Sequence, residues 1–444
     1  MATRLSHALL AAIALIAAPA AAQLLPGGVG GAVGGVTGVA GDLTRPLLSG
    51  EQAASRQQQR AIVGGAFDRV STLASSVAGV PGTLLDLRAL RLSTLIRQNR
   101  AALDRDGAGN PVRRERLVAI EPDRAGLAAA QRAGFRVIAD RRDPGLGVRL
   151  VLLAVPPRSS PRQAMDALRR AAPSLDVEFD HIYEPAGGAL TPTTAALAMG
   201  VASFSAPGKR IAMIDGGVAS HPSMARASIE QKGFAGPAAA TGHGTAVASL
   251  LIGDQGAFRG AARGANLFVG DIYGGNPAAG SASTIVSALG WAATKRPAII
   301  TMSLVGPANR AIERAVSILR GRGILIVAAV GNDGPAAPPQ YPASYDGVVA
   351  VTGVDSKGRA LIEAGRALHL DFAAPGADLA AALPAKGYAV VRGTSFAAPL
   401  VAARLAATGS LPALAAEARP GKGKVGRGIV CATCRVEPRS VGAK

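Results

Sequence analysis

Five apolar runs set the strongest limit on what this chain can fold into: RIAMID (210–215), NLFVGDIY (266–273), AIITMSL (298–304), GILIVAAV (323–330) and GVVAVTGV (347–354). Between them lie TAVASLLIG, TIVSALGWAAT and ANRAIERAVSILRG, whose apolar residues recur at helical spacing. Strands that do not alternate polar with apolar residues are buried on both faces, as in a parallel sheet sandwiched between helices. The expected fold class from about Pro192 onward is therefore α/β, three layers around a mostly parallel sheet. Sites in such sheets form beyond the carboxyl ends of the strands.

The preceding region reads differently. In residues 115–185 the order is strand (RLVAI), helix (DRAGLAAAQRAG), two strands joined by a turn (FRVIAD, VRLVLLAV), helix (SPRQAMDALRRAA, with Ser160 as cap) and strand (LDVEFDHIY). That succession is the split βαβ of a small ferredoxin-like α+β unit. Upstream, residues 84–114 form a basic segment whose stretch 84–110 has helical spacing, expected to pack on the domain that follows. Residues 23–83 are low in complexity and open on a Gly-rich run. Residues 1–22 have a short basic start, an apolar centre and Ala20-Ala21-Ala22 before Gln23, the pattern of a cleaved signal peptide. An exported protein with no transmembrane segment in its mature chain is expected. The domains are then 115–190 and 191–436, with a tail over 437–444.

Composition narrows the function classes. The net charge of +19 would suit an anionic partner, but aromatics make up only 3% of the chain and no basic face is interleaved with them. No nucleic-acid partner is expected. The two cysteines, Cys431 and Cys434, follow a Gly/Lys linker rather than a strand. They read as a small structural bridge or two free thiols, not a redox or zinc motif.

Four polar residues fall where a site should form. Asp215 ends the first apolar strand before two glycines. His243 stands between glycines at a helix start (TGHGTAV). Asn332 follows Gly331 at the end of GILIVAAV, and Ser395 opens a helix in GTSFAAPLVAA, with Pro399 placed in the first turn. Each alone has an ordinary reading: a turn Asp, a structural His, a turn Asn, a Ser cap. Together they supply a nucleophile, a base, a group to orient the base and an amide for an oxyanion. His221 competes with His243 but lacks flanking glycines, and His181 reads as structural. No His follows Ser395, which excludes the α/β-hydrolase order; a His243, Asp271, Ser395 set belongs to an all-β barrel that the strand pattern contradicts.

The ordered blocks around Asp215, His243-Gly-Thr, Gly331-Asn332 and Gly-Thr-Ser395-x-Ala-Ala-Pro resemble the subtilisin-like serine peptidases, over roughly Ala206 to Ala407. The resemblance implies a secreted endopeptidase with Asp215, His243 and Ser395 as triad and Asn332 at the oxyanion. It implies that Ser303, Leu304 and Val305 pair with an extended polypeptide substrate, and that Ala329, Val330 and Gly331 shape the pocket for the residue before the scissile bond. Residues 115–190 become an inhibitory, folding-assisting propeptide, the chain's own intramolecular partner, with a cleavage region in 187–200. Val305 and Val330 stand where many relatives have glycine, which would favour small residues in that pocket. Residues 200–410 hold only 11 scattered carboxylates, so no metal and no cofactor are expected. The competing reading is an inactive protein of the same fold that serves as a binding or surface-interaction module.

Overall fold

The computed structural model describes residues 81–186, 189–190, 204–384 and 387–443. The signal-peptide segment, residues 23–80 and most of the 187–200 stretch lie outside the described residues.

The first element, α1 (Pro81–Gln98), buries Leu84, Leu87, Leu92 and Leu95. The helix expected over 84–110 thus stops at Gln98. Beyond it the Asn99 amide donates to the Leu95 carbonyl (2.9 Å), and the Asp106 carboxylate collects the amides of Ala108 and Asn110 (2.8 Å each) into a turn. Side chains that return to their own backbone in this way favour turns over helix. The leucine spacing that reads as helical continues instead into a strand.

That strand, β1 (Leu103–Arg105), joins β2 (Pro111–Ile120), β3 (Arg136–Arg142), β4 (Arg149–Ala154) and β5 (Asp176–His181) in an antiparallel sheet. Its main order is β5-β2-β4-β3, with β1 beside the start of β2. Helices α2 (Arg124–Arg132) and α3 (Pro161–Ala171) cover one face through Leu117, Val151, Leu153, Met165 and Leu168. Ser160 caps α3 in a reciprocal box with Gln163. This is the ferredoxin-like unit.

Two short strands follow, β6 (Glu184–Pro185) and β7 (Ala189–Leu190). Next come β8 (Arg210–Asp215), β9 (Ser228–Gly233), α4 (Gly242–Ile252), the hairpin β10 (Asp254–Gln255) and β11 (Phe258–Arg259), and β12 (Asn266–Asp271). The chain continues through α5 (Ala282–Thr294), β13 (Ile299–Met302), β14 (Leu304–Val305), α6 (Arg310–Gly321), β15 (Leu325–Ala329), β16 (Val348–Val354) and β17 (Phe372–Pro375). It ends with β18 (Leu379–Ala382), β19 (Tyr388–Arg392), α7 (Thr394–Thr408) and α8 (Leu411–Ala416). A seven-stranded sheet runs β17-β16-β15-β13-β8-β12-β9, and every pairing in it is parallel. Successive residues of one strand serve opposite layers. Ile211 and Met213 pack with Val247, Phe396 and Val401 of α4 and α7, while Ala212 and Ile214 pack with Ile285, Leu289 and Ile312 of α5 and α6. The edge strand β9, SIEQKG, is mostly exposed and too polar to be read from periodicity. Cys431 and Cys434 are joined in a disulfide. Among the described residues no helix is long and apolar enough to cross a membrane.

The ferredoxin-like unit docks on the starts of α5 and α6. Asp180, fully buried, accepts from the Ser283 amide (2.8 Å), the Ser283 hydroxyl (2.9 Å) and Arg116 (2.7 Å). Such an anion suits a helix N-terminus. Asn309, the cap of α6, donates to the Phe179 carbonyl (2.9 Å) and to His181 Nδ1 (3.1 Å), leaving His181 Nε2 to reach Asp106 (3.1 Å). His181 is therefore structural, as its sequence surroundings suggest. Burial pushes the Asp106 carboxyl upward, but hydrogen bonds from His181 and Asn110 outweigh it and hold the group down at about 2. A carboxyl depressed by folding stabilises above its ordinary pKa and loses that contribution as pH falls through its folded value. Asp106→Asn should therefore lower the thermal midpoint of the full chain near pH 6, with the deficit shrinking as pH falls from about 4 toward 2. Melting curves of both proteins across that range check this; a deficit independent of pH would show that the carboxylate charge contributes nothing.

Candidate active site

Strand β8 delivers Asp215 to its carboxyl end, where the carboxylate is 1% exposed and Oδ1 accepts from the Gly216 amide (2.6 Å) and His243 Nδ1 (2.9 Å). His243 is the second residue of α4, whose cap Thr241 accepts from the Gly244 amide (2.9 Å). The flanking glycine is needed: a Cβ on Gly244 would lie 2.3 Å from the Gly216 carbonyl oxygen. That close approach brings the imidazole against the carboxylate. His221, by contrast, bonds Ser223 (2.8 Å) and the Gly387 carbonyl (3.0 Å), away from Asp215. Asp271 accepts the amides of Ala239, Tyr273 and Gly274 and organises a loop.

Ser395 is the second residue of α7 and wholly buried, so it is not a helix cap; Gly393 holds that place without a side-chain bond. Phe396 lies beside the His243 ring, with centroids 5.6 Å apart. His243 Nε2 and Ser395 Oγ have no hydrogen-bond partner among the described residues. Pro399 sits deeper than the first turn expected for it, inside the helix. It has no N–H to give to the carbonyl four residues back, which is that of Ser395. The Ser303 hydroxyl supplies that donor instead, at 2.8 Å.

Asn332 follows Gly331, whose φ of 86° favours glycine at this turn out of β15. Its Oδ1 accepts from the Thr394 amide (3.0 Å), which aims Nδ2 outward to donate to the carbonyl of Ala186. Ala186 belongs to the chain's own segment after the ferredoxin-like unit. That segment lies antiparallel on β14, pairing Pro185 with Leu304 and Glu184 with Val305, and the Ala186 amide donates to the Ser303 carbonyl (2.8 Å). Farther along, β7 pairs Ala189 with Arg392 and Leu190 with Val391, on the strand leading into Ser395.

The three residues expected to pair with an extended peptide, Ser303, Leu304 and Val305, thus hold residues 184–186 of the same chain. Of the pocket residues, Gly331 lies near Val305, whose Cγ1 would be 3.1 Å from a Cβ placed there. Ala329 and Val330 pack into the core layers on either side of the sheet. Gln340, which sequence reasoning missed, is 3% exposed with Cγ 3.6 Å from that same point. Nothing local in YPASYD or its approach marks Gln340; only the fold brings it to Gly331. Preceding Ala186, Tyr183 is fully buried: its ring lies flat enough on Gly306 that a Cβ there would be 2.6 Å away, its amide donates to Gly280 (2.7 Å) and its hydroxyl to the Pro307 carbonyl.

The profile of the Subtilase family matches residues 207–417. The major intracellular serine protease of Bacillus subtilis (strain 168) is 33% identical over 214 residues, covering 44% of this chain and 67% of that protein. Subtilisin Savinase of Lederbergia lenta is 33% identical over 201 residues, 44% of this chain and 74% of that protein. The alkaline protease of Alkalihalobacillus alcalophilus is 31% identical, but the chain spans only 63% of its length. Among solved structures, fervidolysin from Fervidobacterium pennivorans, a keratinolytic enzyme related to subtilisin, shares the fold with a TM-score of 0.62 at 19% identity, covering 74% of this chain and 62% of that one. Strand order, the meeting of Asp215 with His243, and these similarities agree: the chain belongs to the subtilase family of subtilisin-like serine peptidases.

Proposed function

We propose that this protein is a serine endopeptidase made as a precursor, and that its first substrate is its own bond between Ala186 and Gly187. The observation that carries the reading is the hydrogen bond from Asn332 Nδ2 to the Ala186 carbonyl, made while residues 184–186 lie paired on β14. A carbonyl held by an amide in that position is polarised toward a negative oxygen.

In this reading Ser395 Oγ attacks the Ala186 carbonyl carbon and His243 Nε2 takes the hydroxyl proton. Asp215 holds Nδ1–H and stabilises the imidazolium that forms. The oxyanion is bound by Asn332 Nδ2 and by the Ser395 backbone N–H. On collapse the bond to the Gly187 nitrogen breaks, His243 returns its proton to that nitrogen, and Ala186 is left esterified to Ser395. Water, deprotonated by His243, releases the acyl group and restores the hydroxyl. The residues before the cut are then a propeptide that fills the cleft as product, and export through a signal peptide ending at Ala22 fits the same reading. A polypeptide bound in trans would take the same path along β14. An inactive binding protein would have no use for an amide that holds the carbonyl of the chain lying on β14.

The full chain should split between Ala186 and Gly187 over time, Ser395→Ala should stay whole, and Asn332→Ala should slow the cut by roughly 10²–10³, the range seen when such a donor is removed. Intact-mass time courses read all three; a Ser395→Ala chain that still splits at that bond would sink the assignment of the nucleophile.

With P1 denoting the residue before the scissile bond, Ala186 is P1, and on this reading Val305 and Gln340, which crowd the turn at Gly331, close the space beyond it. Peptides with Ala at P1 should be cut at least about tenfold better, by kcat/KM, than those with Phe or Leu. Replacing Gln340 and Val305 together by glycine should narrow that gap. A library profile of the wild type led by Phe or Leu would refute the closed pocket.

A further inference from the structure

Beside the oxyanion amide lies a charge cluster that the reaction does not use. Asp333, next to Asn332, is 5% exposed. Its Oδ2 accepts from Arg88 Nε (3.1 Å) and its Oδ1 from Arg91 Nη2 (2.8 Å). Arg91 Nε also donates to the Glu184 carboxylate (3.2 Å), so one guanidinium is flanked by two acids. Burial pushes the Glu184 carboxyl up, as does the neighbouring charge of Asp333, while Arg91 opposes the shift. The four charges balance in the uncut chain, but they do not belong to one side of the cut. Arg88, Arg91 and Glu184 all precede Ala186, whereas Asp333 alone follows it. Glu184 is the third residue before the scissile bond, P3, paired in register with Val305.

We propose, resting on the reading that the chain is cut after Ala186, that Asp333 is a specificity residue of the P3 subsite, selecting polypeptides with Arg or Lys at P3 once the segment carrying α1 has left. Departure of that segment removes both guanidinium partners that the carboxylate has among the described residues, beside the oxyanion amide. A P3 carboxylate arriving in trans, without Arg91 between, meets Asp333 as a like charge. A P3 guanidinium can reach the position Arg91 held and restore the pairing, in the planar geometry that suits a carboxylate. The precursor's own P3 acid is thus accepted only because α1 brings its bridge with it. The sequence Tyr-Glu-Pro-Ala is a good site in cis and a poor one in trans.

The test uses full-length protein allowed to mature, its active sites counted with a fluorophosphonate probe. It is given three quenched peptides, Tyr-Xaa-Pro-Ala-Gly-Gly-Ala-Leu, with Arg, Gln or Glu as Xaa. The expected order of kcat/KM is Arg over Gln over Glu, with Arg at least about tenfold above Glu near 20 mM salt and the ratio falling near 0.5 M. Asp333→Asn should bring that ratio toward unity, and Asp333→Glu should keep the order. Glu cut as well as Arg, or an Arg preference that Asp333→Asn leaves intact, overturns the proposal. Should Asp333→Asn yield no active enzyme, a wild-type ratio indifferent to salt overturns it. Protein that neither labels nor cuts any peptide overturns the protease reading, and this proposal with it.

Discussion

The Asn332 carboxamide is fastened at both ends, and most of the site is arranged around that fact. Its oxygen is held by the Thr394 amide at the start of α7, and its nitrogen holds the Ala186 carbonyl. A side chain with one free end would sweep through a range of directions; one whose oxygen is pinned presents its donor along a single line. The same pin ties the end of β15 to the first turn of α7, so the residue that offers the amide and the helix that offers Ser395 cannot drift apart. Pre-set donors of this kind cost no reorganisation when charge develops. Ser303 reinforces the arrangement from the other side. Its carbonyl holds the Ala186 amide and its hydroxyl holds the Ser395 carbonyl that Pro399 leaves without a helical donor. One residue thereby positions both the peptide and the turn that carries Ser395.

Small side chains make this convergence possible. The chain has 56 glycines, and the ones that matter here are places where backbone meets backbone. Gly244 against Gly216 lets the helix bearing His243 close on the strand bearing Asp215, and Gly306, where a side-chain ring meets the backbone instead, lets the Tyr183 ring lie on the chain. Larger residues at these points would separate the elements by more than a hydrogen bond can span. Alanine-rich α7, with most of its residues buried, does the same beneath the sheet.

Much of this was legible in the sequence for a physical reason. A strand buried on both faces must be apolar throughout, so RIAMID, GILIVAAV and GVVAVTGV declare themselves without help from distant residues. Polar groups at their ends, Asp215 and Asn332, stand out against that background. The ferredoxin-like unit is similarly local, since its caps and turns are set by neighbours. What could not be read depends on long-range meetings. Strand β9 is an exposed edge with no apolar signature. The helix at α1 is visible as spacing, but its stop at Gln98 is set by Asn99 and Asp106 returning to backbone. Arg88 and Arg91 look like solvated charges until the fold lays them against Asp333, which is 242 residues from Arg91. Gln340 is silent for the same reason. Pro399 reads as a first-turn residue because the Gly-Thr-Ser run looks like a cap, whereas the helix already begins at Thr394.

The contacts that seat residues 81–186 bear on how such a molecule would change state. They are the Asp180 anchor on α5, the Asn309–His181–Asp106 chain, the ladder on β14 and the charge cluster under α1. Hydrolysis of one peptide bond after Ala186 removes none of them. It removes only the covalent link, and so converts an intramolecular complex into a bimolecular one whose lifetime those contacts set. Cutting and opening are therefore separate events. The buried charges add a further asymmetry. Withdrawing α1 strands Asp333 without its guanidinium partners, an expensive state until water or a cation arrives. In the proposed reading, release is thus opposed by the same carboxylate that then meets the next chain.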